Sequence, residues 1–110
     1  MSPAAVRVAA LEELTDGEST RVDIDGRTLA VVRLGQQVYV IGDRCSHADV
    51  SLSEGEVDGD ACTIECPKHG SEFDLRTGEP LSLPAVKPVP RYQVTVVEGD
   101  VLVELSEESA

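Results

Sequence analysis

The residues best equipped for chemistry lie in one stretch. Cys45-Ser46-His47 is followed, after 18 residues, by Cys66-Pro67-Lys68-His69-Gly70. This stretch holds both histidines of the chain and two of its three cysteines. Thiolate sulfur and imidazole nitrogen are the usual donors for zinc and for iron–sulfur centres, and two of each fill four coordination positions. The grouping narrows the choice. A common zinc finger takes its ligands as C-x2-C and then H-x3-5-H. Here each end supplies one Cys and one His. That suits a dinuclear cluster in which Cys45 and Cys66 bind one iron and His47 and His69 the other. The competing reading of the same donors is a structural zinc site in an interaction module. It would leave the protein colourless, where an iron–sulfur centre makes it brown.

No second reactive set is present. The carboxylates are scattered along turns and strand edges, and no Ser/His/Asp set remains once both histidines are used. A terminal oxygenase would need a further 2-His-1-carboxylate iron site, and the chain has only two histidines in all. The protein is therefore not expected to be an enzyme. At a net charge of −12 it offers no basic stripe to phosphates, which excludes nucleic acid as a partner. The acidity serves solubility, or steers the protein toward a basic docking face. No apolar run approaches the ~20 residues that cross a bilayer, so no membrane is expected. Residues 1–11 lack the apolar centre of a signal peptide, and two of three cysteines are claimed by metal. A cytoplasmic location is expected, in keeping with a reducing compartment.

The elements that must position the donors are short and extended. A chain of 110 residues is one domain. With one Phe, two Tyr and no Trp, its core must be mainly aliphatic. Val6 to Val8 alternates as a strand, and Leu11 to Leu14 is a short helical turn. Arg21 to Ile24 and Arg27 to Leu34 flank Asp25-Gly26, a hairpin signal. After Gly35-Gln36, Val38 to Ile41 completes a meander. Gly42-Asp43 breaks this strand, so Cys45 and His47 fall on a loop. Ser51 to Gly55 reads as loop. Val57 enters a turn at Asp58-Gly59-Asp60, and a strand from Ala61 to Glu65 runs into Cys66. Cys62 shares a strand face with Ile64 there, so core packing is expected of it, a functional thiol being the other reading. A short strand follows at Glu72 to Asp74, and Thr77-Gly78 closes the unit. Four prolines between Pro80 and Pro90 impose an irregular connection. Tyr92 to Val97 and Val101 to Leu105 form the last hairpin around Glu98-Gly99-Asp100, with a frayed tail beyond. Many short strands and little helix predict an all-β sandwich or barrel. The base is expected at about 4–43 and 84–106, with a hairpin-rich cluster-binding subdomain at about 44–83.

The paired motif, with Ser51-Leu52-Ser53-Glu54-Gly55, Ser71-Glu72-Phe73-Asp74 and Arg76-Thr77-Gly78-Glu79 around it, resembles the Rieske [2Fe–2S] proteins. The form is most similar to the small ferredoxins of bacterial ring-hydroxylating dioxygenases, from about Val6 to Leu105. The resemblance implies a Rieske-type antiparallel β-sandwich with one [2Fe–2S] cluster per chain. It implies a monomeric single-electron carrier between a flavoprotein reductase and a terminal non-haem iron oxygenase. His47 and His69 would lie near the surface as the contact point for partners. Gly70 and Pro67 would shape the second turn, Ser71 would donate a hydrogen bond to sulfur, and Leu83-Pro84 would match the loop that covers the cluster. Two departures set the chain apart from the high-potential branch. Val50 and Lys68 stand where that branch has a disulfide, and Phe73 stands where it has a hydrogen-bonding Tyr. Both imply a midpoint potential near the low end for such centres, roughly −150 mV to 0. The same fold would also serve an accessory subunit, in iron–sulfur assembly or nitrite reduction.

Overall fold

The computed structural model describes residues 5–24, 26–45, 50–68, 70–82 and 87–104. The expectations for His47, His69, Asp25, Leu83, Pro84, Leu105 and the tail from Ser106 fall outside these residues. The regular elements of the described chain are antiparallel strands, with two short 3-10 turns. β1 (Ala5–Ala10) ends in a 3-10 turn at Leu11–Glu13. β2 (Ser19–Ile24), β3 (Arg27–Leu34) and β4 (Gln37–Gly42) form the expected meander. A second 3-10 turn, Leu52–Glu54, precedes β5 (Val57–Asp58), β6 (Thr63–Glu65) and β7 (Glu72–Asp74). β8 (Arg91–Tyr92), β9 (Val94–Val97) and β10 (Asp100–Glu104) complete the chain.

The strands make three sheets, ordered β1-β10-β9, β2-β3-β4-β8 and β5-β6-β7. The second sheet has a core on each face. Leu29 and Val31 of β3 join Val38, Val40, Tyr92, Val101 and Val103 in one buried cluster. Ala30 and Val32 join Ile41, Ile64, Phe73, Leu75 and the three cysteines in another. Side chains alternate along a strand, so a strand covered on both sides must be apolar at every position. This accounts for the unbroken run Leu29-Ala30-Val31-Val32, whose four side chains are all fully buried.

The hairpin signals hold where backbone hand dictates the sequence. Glu98 and Gly99 join β9 to β10 with φ of 50° and 82°, the doubly positive pair that a type I′ turn requires. Ile24 faces Arg27 across the first expected turn, with Gly26 at φ 77°. Two expectations need correction. The run from Tyr92 to Val97 is not one strand. Tyr92 pairs with Val40 in the middle sheet, while Val94 pairs with Val103 in the outer one. The chain changes sheets at Gln93, whose carbonyl accepts the Glu104 amide at 3.0 Å. Alternating valines satisfy either sheet, so the pattern cannot reveal the switch. The strand expected from Ala61 begins only at Thr63. The Asp58 carboxylate accepts the amides of Asp60 and Ala61 at 3.0 and 3.1 Å. That lengthens the turn and leaves Cys62 within it at φ 60°. Cys62 is buried in the core as expected, though not from a strand.

Candidate metal centre

Two loops of similar construction carry the cysteines. The first leaves β4 at Gly42. Asp43 donates its amide to the Thr28 carbonyl of β3 at 3.0 Å. Cys45 then donates its amide to the Val50 carbonyl at 3.0 Å, and Arg44 bridges to Ser51. The chain returns through the Leu52–Glu54 turn, where Leu52 is fully buried. The second loop leaves β6 at Glu65. Cys66 donates its amide to the Ser71 carbonyl at 2.7 Å, and Gly70 donates back to the Cys66 carbonyl at 2.9 Å. In both loops the cysteine amide reaches the carbonyl five residues on. Each loop is thus closed directly behind its sulfur donor. Gly70 has φ 76°, a conformation that a side chain would strain.

Both cysteines point inward. Cys45 is 4% exposed, Cys66 is 1% exposed, and one buried cluster holds the two of them with Leu52, Ile64 and Phe73. Neither forms a disulfide. Two reduced thiols, buried in one apolar core from two separate loops, fit the sulfur half of an iron–sulfur centre. Structural cysteines packed as hydrophobes have no need of matching closed loops. Ser71 is fully buried between Cys66 and β7. The other half of the donor set, His47 and His69, lies outside the described residues, as does Pro84. Among the described residues alone, no three potential metal donors gather in one place.

Two residues with structural work here went unmarked in the sequence. Asp43 is a carboxylate only 2% exposed, and its Oδ1 accepts the Ser53 amide at 2.8 Å. A buried acid beside a glycine reads in sequence as a simple strand breaker. Gly55 has an ordinary φ of −86°, but a side chain there would collide with the Glu65 carbonyl. It lets the first loop's return path touch β6 just before Cys66. Only the motif around it hinted at this.

Cys62 belongs to the same core. It faces Tyr39, with Arg76 and Asp74 close by. Burial of the Tyr39 ring, and then its hydrogen bond with Cys62, raises the Tyr39 pKa above the usual phenol value. The guanidinium of Arg76 lies 3.4 Å from Asp74 in an exposed ion pair.

A family model described as the Rieske [2Fe-2S] domain matches residues 4–93. The 3-phenylpropionate/cinnamic acid dioxygenase ferredoxin subunit of Escherichia coli strain K12 is 42% identical over 95 residues, covering 86% of this chain and 88% of that protein. The ferredoxin of carbazole 1,9a-dioxygenase from Nocardioides aromaticivorans IC177 is 43% identical, with a TM-score of 0.90 over 96% of this chain and 100% of its own. A chain in the complex of reduced oxygenase and oxidized ferredoxin in carbazole 1,9a-dioxygenase is 40% identical, with a TM-score of 0.89 over 96% and 97%. The residues, the fold and these likenesses agree on a [2Fe–2S] electron carrier that is not itself an enzyme. The chain belongs to the Rieske [2Fe–2S] domain family.

Proposed function

We propose that the protein is the ferredoxin component of a multicomponent oxygenase, passing single electrons from a flavoprotein reductase to a terminal non-haem iron oxygenase. Cys45 and Cys66 hold one iron, and His47 and His69 hold the other. The observation that carries this reading is the burial of Cys45 and Cys66 in one core, each from a loop closed behind it. The names of the similar ferredoxins, one of them in a complex with its oxygenase, support the partner. Segment 44–83 acts as the cluster-binding unit on a base of 4–43 and 84–106. The carrier works as a monomer in the cytoplasm. Among the described residues no helix is long and apolar enough to cross a membrane.

A bound [2Fe–2S] cluster supplies one-electron chemistry at nearly constant geometry. The chain's part is to hold the donors and to exclude water from the sulfur side. The apolar side chains of Leu52, Ile64 and Phe73 do the latter. Neutral imidazoles in place of two thiolates make the added electron easier to accept. Buried Ser71 donates a hydrogen bond toward sulfur, Gly70 shapes the second turn, and Pro84 belongs to the cover.

Approach to a partner is steered by charge. Glu65 lies directly opposite Glu72, and on its other side its amide donates to the Glu56 carbonyl. Three carboxylates, on Glu56 just before β5, Glu65 of β6 and Glu72 of β7, therefore stand in one row, immediately before Cys66. Like charges in such a row oppose one another, and a basic partner surface relieves that repulsion. The association rate should fall steeply with added salt.

The test is an electron paramagnetic resonance spectrum after dithionite reduction, with iron and acid-labile sulfide measured on the same sample. Two irons, two sulfides and a rhombic signal of low average g are expected. A colourless protein with stoichiometric zinc would refute the carrier role. Cys45→Ser or Cys66→Ser should abolish the signal.

A further inference from the structure

We infer that Asp43 is a positioning residue for the metal centre, the clasp that sets both ends of the loop bearing Cys45. This deepens the electron-carrier reading and rests on it. Asp43 stands at the end of β4, 2% exposed, in a protein whose other carboxylates are mostly at the surface. An acid is rarely so buried without a partner.

The partners of Asp43 all belong to the loop frame. Its amide is tied to the Thr28 carbonyl at 3.0 Å, which fixes the departure of the loop to the central strand β3. Its carbonyl accepts the Leu52 amide at 2.6 Å, and its Oδ1 accepts the Ser53 amide at 2.8 Å. The last two bonds hold the returning chain beside the departing one. Between them lie the Arg44–Ser51 bridge and the Cys45–Val50 hydrogen bond. The return is also fixed from outside, since the Ser53 carbonyl accepts the Ser19 hydroxyl of β2. Four links thus close the loop, and only the outermost, Asp43 to Ser53, uses a side chain. A backbone ladder fixes spacing along the loop. The carboxylate sets the angle at which the 3-10 turn leaves it, and so seats Leu52 in the core beside Cys45.

The reach of that oxygen is what matters here, more than its charge. Asn at this position keeps an oxygen at the same distance along the side chain. Glu keeps the charge but displaces the oxygen by one methylene at a position only 2% exposed. Ala leaves the half-buried Ser53 amide without its acceptor.

The experiment measures iron release from the holoprotein to a chelator for Asp43→Asn, Asp43→Glu and Asp43→Ala. It also measures hydrogen exchange at the Leu52 and Ser53 amides, a readout that needs no cluster. Asp43→Asn should release iron within about twofold of the unaltered protein, while Asp43→Ala should release it roughly tenfold faster or more. Asp43→Glu should resemble Ala, with faster exchange at Ser53 and a broadened resonance in the reduced state. If Asp43→Ala does not fold, the Asn and Glu proteins decide the matter. Asn failing while Glu succeeds would overturn the inference, because charge would then be the agent. Equal behaviour of all three would overturn it as well. If the unaltered protein held no iron, the carrier reading would fall. Slowed exchange at Ser53, lost in Ala and kept in Asn, would still uphold the clasp.

Discussion

The two faces of the middle sheet bear cores of opposite character. One face, with Leu29, Val31, Val38, Val40, Val101 and Val103, is aliphatic apart from Tyr92 and is closed by regular strands. The other, with Ala30, Val32 and Ile41, meets short strands, two cysteine loops and a proline-rich return. Every cysteine and the single Phe lie on that second side. The first face derives its order from strand pairing. The second depends on turn geometry and close backbone approach and, on the proposed function, on the metal itself. Binding that requires a folded site adds its free energy to that of folding. The cluster side is therefore where metal binding and stability should be coupled most strongly.

Substitutions can break this contrast in order of size. Phe73→Ala empties the centre of the cluster-side core and should cost about 3–5 kcal/mol. The visible absorption of the iron–sulfur centre should fade with it, as followed in a thermal melt. Leu29→Ala on the other face should cost about 2–5 kcal/mol. There the absorption spectrum and midpoint potential should stay unchanged until the whole protein unfolds. A shifted potential in Leu29→Ala would mean that the faces are not separable. Gly55→Ala pushes a methyl group against the Glu65 carbonyl and should cost about 1–3 kcal/mol. Its mark should be faster iron loss, with β-sheet circular dichroism retained.

The smallest effect sharpens the comparison at its edge, where Tyr39 of the middle sheet meets Cys62. Folding raises the Tyr39 pKa by burial and by the bond to Cys62, so the fold favours the neutral phenol. That contribution is complete below the unfolded value of about 10 and is lost as pH rises through the higher folded value. Denaturant melts of Tyr39→Phe should show a shallower decline in stability above about pH 10. An identical decline in both proteins would remove Tyr39 as its source.

Much of this could be seen in the chain before its structure. Two of the four expected donors, Cys45 and Cys66, meet in one core, and Gly26 and Gly99 marked their hairpins because glycine tolerates positive φ. The apolar run in β3 marked a strand but not its two-sided burial, since burial on both faces depends on segments far away. The sheet switch at Gln93 was hidden for the same reason. Cys62 was placed in a strand because the Asx-type turn at Asp58 outlasted the residues that signal it. Asp43 and Gly55 were obscure because their worth lies in a partner 10 residues away and in a neighbour's carbonyl. Such pairings leave no periodic trace.

The chain leaves the middle sheet after Gly42 and rejoins it at Arg91, in the strand next door. The Gly42 amide there donates to the Pro90 carbonyl at 2.8 Å. The two cysteine loops are thus mounted on an excursion whose exit and entry points nearly touch. Nothing in the register of β4 and β8 depends on how long the excursion is, and lengthening a loop costs little once its ends are joined. The remaining strands could host a different excursion from the same doorway, with new donors and a new potential. Engineering of this carrier could then proceed by exchange of the whole cassette.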